Sequence, residues 1–207
     1  CDAFRQLGEI YRALGRGDDE IASCREFATI YPDSVRATVT LVRALWMNRR
    51  YEAAGIKLAT ALDRFSGDLE IRWMHCIYTL LPLYSSAKEQ EEARRLYGKR
   101  LAALSARIEV APVEVLVPLE RLVESVKPYF LAYHGTVDRE LQSKFGRLVC
   151  IVMAAAHPEI TDLAKCQRRP DKKITVVFVS AHIWTHSIWK LIRSWPKDFD
   201  HNRFHLI

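Results

Sequence analysis

Apolar residues recur at helical spacing through most of the chain. One stripe runs from Phe4 to Tyr11, glycines interrupt the pattern at Gly15 and Gly17, and a second stripe runs from Ile21 to Ala28. An apolar residue every three or four positions marks one face of an α-helix, and glycine between two such stripes marks a turn. The beginning of the chain is therefore predicted to be a helical hairpin.

The same pattern returns 34 residues later. Leu41 occupies the place of Leu7, and Leu58 occupies the place of Cys24. A helix–turn–helix period of this length resembles tetratricopeptide repeats. The first unit departs from that pattern at Glu20, where alanine is usual.

A third, longer hairpin follows. Its first helix is predicted through the apolar residues 71–83, and its second from about Ser86 to Ala106, where the charges indicate a solvated face. Pro112 and Pro128 bracket a further helix, and Pro118 falls inside it. Because proline lacks the N–H that a helix interior needs, Pro118 is expected to kink or divide this helix.

The period changes after the basic link that ends at Lys173. The residues from Ile174 to Val179 form a nearly unbroken β-branched run, which predicts a strand buried on both faces, as in parallel sheets. Helical spacing returns at Ser187, a residue type favoured as an N-cap, and Pro196 is expected to close the helix. Phe204 to Ile207 begins a second strand. This order opens a doubly wound α/β domain, whose ligands bind beyond the carboxyl ends of the strands.

Composition narrows the possible partners and the compartment. The chain has 207 residues and a dispersed net charge of +6, which disfavours nucleic acid as a partner. Its five cysteines are odd in number and lack CxxC spacing, so we expect reduced thiols in a cytoplasmic-type compartment. No apolar run approaches the length of about 20 residues that a membrane span needs. Because the chain stops inside a predicted strand, we expect it to be part of a longer protein.

Two histidines follow the first predicted strand, where a ligand would bind. For His186, the alternative to a functional role is that it only caps or packs at the start of the next helix. The pairs His182–His186 and His201–His205 have the spacing of metal ligands on a helix. Each pair straddles a predicted element boundary, which disfavours a metal site.

Three stretches resemble the bacterial branch of the O-GlcNAc transferase family. Tyr129 to Gln142 is similar to that family's aromatic connector and Asp-Arg-Glu-Leu-Gln helix start, and the similarity continues from Arg147 to Ala155. The most specific stretch is Val177-Phe-Val-Ser-Ala-His-Ile-Trp-Thr-His-Ser-Ile-Trp-Lys-Leu191, similar to the family's Phe-Val-Ser-x-His-x-x-x-His-Ser-x-x-Lys-Leu. The chain departs from the family at Val177, where glycine is frequent, and at His134, where glutamine is frequent.

The resemblance implies a mainly α fold in three parts. Residues 1–106 would form a tetratricopeptide-like solenoid of helical hairpins, and residues 107–171 a helical connector. Residues 172–207 would form the first β-α-β of a Rossmann-like GT-B lobe, truncated in this chain.

The resemblance also implies a function for the whole protein, although the fragment alone is expected to be inactive. The protein would transfer N-acetylglucosamine from UDP-GlcNAc to serine or threonine of acceptor proteins, with inversion, without a metal and without a further cofactor. The missing C-terminal lobe would hold most of the UDP-sugar, and the repeats would bind the acceptor. His186 corresponds to a family active-site histidine, a candidate base or acceptor-positioning group. His182 is a second catalytic candidate, and Ser180 and Lys190 are candidates for substrate binding.

A different class of function is also compatible with the sequence. Stacked helical repeats form concave surfaces that bind extended segments of other proteins. The chain could thus belong to a protein-interaction scaffold without catalytic activity.

Overall fold

The structure, a computed structural model, describes residues 2–161, 173–180 and 187–207. The described residues fall into two compact units: a helical unit of residues 2–161 and an α/β unit of residues 173–180 and 187–207. Helices make up most of the described chain, and the described strands are two short parallel ones. The predicted mainly α class is therefore confirmed.

Successive helices of the helical unit pack against each other along the chain. The α4 helix begins 34 residues after α2, and α5 begins 34 residues after α3, so the period seen in the sequence is also the spacing of the helices. The helices of this unit are α1 (Asp2–Ala13), α2 (Gly17–Ile30), α3 (Val35–Met47), α4 (Tyr51–Arg64), α5 (Leu69–Ile77), α6 (Ala87–Ile108), α7 (Val113–Leu116), α8 (Glu120–Ser125), α9 (Arg139–Ala156) and α10 (Pro158–Thr161), with 3-10 helices at Val117–Leu119 and Tyr129–His134.

Side-chain caps determine where three of these helices begin. Ser34, Asp68 and Ser86 precede α3, α5 and α6, and each side-chain oxygen accepts a hydrogen bond from the backbone N–H three residues on, at 2.9–3.2 Å. The first N–H groups of a helix have no partner within it, so each cap satisfies one of them. The predicted start of α6 near Ser86 is confirmed.

The α5 helix ends earlier than the apolar pattern predicts. It stops at Ile77, whereas the prediction extended it to Leu83, a residue that is 84% exposed. Pro82 cannot belong to a helix interior, because it lacks an N–H and its ring clashes with the preceding turn. The chain between Ile77 and α6 is therefore an irregular turn that still buries Leu80.

Helices α7, α8 and α9 share one core with the hairpins. Trp73 of α5 is completely buried, and its indole Nε1 donates a hydrogen bond to the carbonyl oxygen of Val126, at 2.8 Å. The Phe145 ring of α9 meets the same indole edge-on, with ring centroids 5.7 Å apart. Pro118 divides its helix as predicted, because it lies in the 3-10 turn between α7 and α8.

The α/β unit contains β1 (Ile174–Val176), α11 (Ser187–Ile192), α12 (Ser194–Lys197) and β2 (Phe204–Leu206). The two strands are parallel, with Ile174 opposite Phe204. Parallel pairing across an intervening helical segment is the arrangement that the strand–helix–strand pattern predicted.

Two predictions for this unit are wrong. The run after Lys173 is not buried on both faces, since Val177 is 56% and Val179 is 90% exposed. Two strands and short helices have too little surface to cover both sides of a sheet. Pro196 does not close the helical segment but lies inside α12, which continues to Lys197; the first turn of a helix tolerates proline.

Helix α2 begins at Gly17, which lies against Asn48, the residue that caps the end of α3. A Cβ atom on Gly17 would overlap the Asn48 side chain, at 2.8 Å from its Cγ. The Asn48 Nδ2 group donates hydrogen bonds to the carbonyl oxygen of Ala44 at 2.8 Å and to Glu20 Oε2 at 2.9 Å. Asn48 therefore cannot move aside without leaving a buried carboxylate without one of its donors.

We expect Gly17→Ala to destabilise the protein by about 1–3 kcal/mol, the range for loss of a hydrogen bond to a buried group. The matched control is Gly146→Ala inside α9, where a new Cβ meets nothing within 4 Å. This control should stabilise the protein by about 0.5–1 kcal/mol, because alanine is the better helix former. Urea unfolding followed by circular dichroism measures both. Equal effects would show that Asn48 does not constrain Gly17.

Candidate functional site

A crevice lies beyond the carboxyl ends of the two parallel strands in the α/β unit. Residues just after β1 and β2 continue the pairing, with Phe178 donating its N–H to the carbonyl oxygen of Ile207 at 3.0 Å. A cavity of about 280 Å³ opens there, and α11 contributes Trp189 and Ile192 to its wall. Doubly wound sheets bind their ligands at this position, so the crevice is a candidate site.

Of the four predicted site residues, the structure describes Ser180 and Lys190, and only Ser180 lines the crevice. Ser180 is half-buried and lines the crevice, where its hydroxyl can donate and accept hydrogen bonds. Lys190 is exposed on α11 and does not line the crevice. His182 and His186 lie outside the described residues.

A second concavity, here called the charged groove, lies on the helical unit. Its volume is about 570 Å³, and it is formed by α1, α2, α3 and α5 together with Arg121 of α8. Two carboxylates are buried at its wall: Glu20 is 1% exposed and Glu70 is 7% exposed. Charged groups are rarely buried unless they are paired, so each of these two carboxylates is expected to have a charged or hydrogen-bonding partner.

Glu20 is held by groups from two neighbouring helices. Arg12 donates to its Oε1 from both Nε, at 2.9 Å, and Nη2, and Asn48 donates to its Oε2. Burial, together with the nearby Glu20 charge, raises the pKa of the Cys24 thiol to about 11. This thiol is thus protonated at neutral pH and is not a nucleophile.

Glu70 has its partner 51 residues further along the chain. Arg121 donates to its two oxygens from Nε, at 3.3 Å, and from Nη2. Neither this pair nor the bond from Asn48 to Glu20 could be found from the sequence, because hydrophobic periodicity reports only neighbours on one helix.

Arg43 of α3 also lines the groove and is half-buried. Within the described ranges no carboxylate lies within 4.0 Å of its guanidinium. A guanidinium with open donor positions binds carboxylate or carbonyl oxygens, which extended peptides present. The Arg43 guanidinium can therefore donate hydrogen bonds to a ligand in the charged groove.

The described residues contain no group of three or more His, Cys, Asp and Glu side chains placed to hold a metal. His201 lies in an exposed turn and His205 on β2, so this pair is not on one helix. No helix within the described ranges is long and apolar enough to cross a bilayer. Cys24 and Cys76 are free and buried, whereas Cys150 is free and exposed.

No protein-family model, no curated protein and no solved structure matches this chain. Two concave features of the described residues are candidate functional sites: the crevice of the α/β unit and the charged groove of the helical unit.

We expect Arg121→Gln to destabilise the protein by about 1–2 kcal/mol, because it leaves the buried Glu70 carboxylate without its ion partner. The matched control is Arg95→Gln, whose partner Glu92 is 63% exposed. The control should cost less than about 0.5 kcal/mol, as exposed ion pairs usually do. Urea unfolding at pH 7 measures both, and a loss no greater than that of the control would contradict the buried-pair interpretation.

Proposed function

We propose that this chain is part of a protein O-glycosyltransferase that transfers N-acetylglucosamine from UDP-GlcNAc to serine or threonine of acceptor proteins. The supporting observation is the crevice beyond β1 and β2. Ser180 lies in its wall, and this serine belongs to the Val177–Leu191 stretch that resembles the O-GlcNAc transferase family. The parallel β1–α11–β2 order is also the order expected at the start of a GT-B lobe.

The same proposal includes a tetratricopeptide-type solenoid in the helical unit. The 34-residue spacing of helix starts in the helical unit supports a tetratricopeptide-type solenoid. The buried free thiols Cys24 and Cys76 suit a cytoplasmic-type compartment, where thiols stay reduced.

Inverting transfer needs one group to receive a proton. The acceptor hydroxyl oxygen forms a bond to the anomeric carbon, the bond from that carbon to the phosphate oxygen breaks, and UDP leaves with the electron pair. A base takes the hydroxyl proton, and a neutral imidazole can do this near neutral pH. His186 is our candidate for this base or for positioning the acceptor, with His182 as the second candidate, and both assignments depend on the family resemblance.

The charged groove supplies a place for the acceptor protein. Its open guanidinium at Arg43 can donate to the backbone carbonyls or carboxylates of an extended segment. The UDP-sugar would be held mainly by a lobe that this chain does not include, and Ser180 and Lys190 are candidates for contacts to substrate.

A scaffold without activity is the second candidate. It is favoured by the position of the charged groove, which is formed entirely by the helical unit. A peptide could bind there whether or not the α/β unit supports chemistry.

Sugar transfer to a mixture of extract proteins tests the enzyme. We expect the full-length protein to transfer N-acetylglucosamine from labelled UDP-GlcNAc. The His186→Ala variant should lose at least about a hundredfold in rate, the usual scale of acid–base catalysis. His201→Ala, which removes an exposed histidine in a turn, is the matched control and should retain the rate.

The outcomes separate the candidates. Transfer that survives His186→Ala would refute the catalytic role of this histidine but keep the enzyme. No transfer by the full-length protein from UDP-GlcNAc would favour the scaffold.

The Arg43→Gln variant tests the charged groove. We expect the KM for protein acceptors to rise about tenfold or more, because a hydrogen bond from a charged donor contributes roughly 1.5–3 kcal/mol. Arg25→Gln removes an exposed arginine of α2 that does not line the groove and should leave KM unchanged. An unchanged KM in both variants would place acceptor binding elsewhere.

A further inference from the structure

A further cleft of the helical unit lies between α4 and α6, beside the irregular turn that follows α5. Its volume is about 1050 Å³, and it shares no lining residue with the charged groove. Tyr51, Tyr78, Tyr84 and Leu96 give it aromatic and apolar walls, and the guanidinium of Arg100 also lines it. Small-molecule sites typically have about this size and this mixture of apolar walls with a few polar groups.

Arg100 is a half-buried cation with neutral partners. Its Nη1 donates hydrogen bonds to Thr79 Oγ1 at 2.6 Å and to the carbonyl oxygen of His75 at 3.1 Å. Within the described part of the chain, no carboxylate lies within 4.0 Å of this guanidinium. Arg94 on the same helix shows the contrast, because it pairs with Asp138. No carboxylate of the described residues therefore neutralises the Arg100 charge.

The His75 side chain adds no second charge beside Arg100. Burial, and then the charges of Arg100 and Arg72, lower the pKa of the His75 imidazole to about 4, so this histidine is neutral at pH 7. Burial also lowers the pKa of Arg100 itself, as expected of a cation removed from water without a counterion.

The carboxylates that line the cleft do not serve as that counterion. Glu52, Glu89 and Glu92 are all exposed, where water and salt screen their charges. Glu89 accepts the backbone N–H of Ser85 at 2.7 Å, and Glu92 accepts from Arg95 at 3.1 Å. Three exposed cations line the cleft as well, namely Arg49, Arg50 and Lys88. An anion that reaches Arg100 would thus meet a cation in a less polar environment, where attraction is stronger.

We propose that this cleft binds a small molecule that carries one carboxylate or phosphate group on an aromatic or apolar body. The anionic group accepts hydrogen bonds from Arg100, whose planar guanidinium can bind two oxygens at once. The tyrosine and leucine walls take the apolar body. This site uses none of the residues assigned to sugar transfer and is independent of that proposal.

Three naphthalene probes test the proposal by isothermal titration with the 207-residue chain. We expect 2-naphthoate or 2-naphthyl phosphate to bind at least about tenfold more tightly than the neutral 2-naphthamide, because charged hydrogen bonds are the stronger ones. The preferred anion identifies whether the natural ligand is a carboxylate or a phosphate. Equal affinity for all three probes, or no binding of either anion at millimolar concentration, would overturn the proposal.

Variants locate the binding. Arg100→Gln should lower the affinity for the anionic probe by about tenfold or more, and Arg100→Lys should retain part of the affinity. Lys99→Gln removes a neighbouring exposed charge of α6 that does not line the cleft, and it should have no effect. If Arg100→Gln and Lys99→Gln lower the affinity for the anionic probe equally, the effect is due to net charge alone and the proposed site is refuted.

A cavity-filling variant keeps the test independent of the stability of Arg100→Gln. Ala93 lines the cleft, and Ala93→Leu should reduce binding of all three probes without changing any charge. Circular dichroism checks that each variant stays folded. Unchanged probe binding by a folded Ala93→Leu variant would place the probe outside the cleft.

Discussion

The helical unit depends on contact between successive hairpins, because no single hairpin can bury its own apolar face. Trp73 makes contacts that illustrate this dependence. Its indole is completely buried, its N–H is bonded to the carbonyl of Val126, and the Phe145 ring packs against it. One side chain of α5 thus joins the hairpins to the helices that follow them. Helices α7, α8 and α9 are consequently part of the same core as the hairpins.

Burial of charge imposes a second constraint on the same helices. Glu20 is buried, and its carboxylate needs Arg12 and Asn48 as donors. Asn48 in turn requires that Gly17 have no side chain. The contact between α2 and the end of α3 is therefore constrained by polar groups as well as by apolar packing, and two of the groups involved, Arg12 and Glu20, line the charged groove.

The sequence predicted local structure well and distant pairing poorly. Helix starts at serine caps, the division at Pro118 and the 34-residue spacing depend on neighbouring residues and could be predicted. The pairing of Glu70 with Arg121 depends on how the chain returns in space, which periodicity does not encode. The charges of α6 predict a solvated face, but Arg100 is half-buried and donates hydrogen bonds to Thr79 and to the carbonyl oxygen of His75. The crevice was expected beyond β1, but the placement of His182 and His186 within it stays a prediction.

Two arginines of the helical unit differ in the kind of group that accepts their hydrogen bonds. Arg121 pairs with the buried carboxylate of Glu70, so its charge is neutralised within the fold and the pair contributes to stability. Arg100 donates to a hydroxyl and a carbonyl, which fix its orientation but leave its charge unmet. Holding such a cation away from water costs free energy in the unliganded protein. An anion that satisfies it would recover that cost, so the same arrangement that weakens the empty fold favours binding at the cleft.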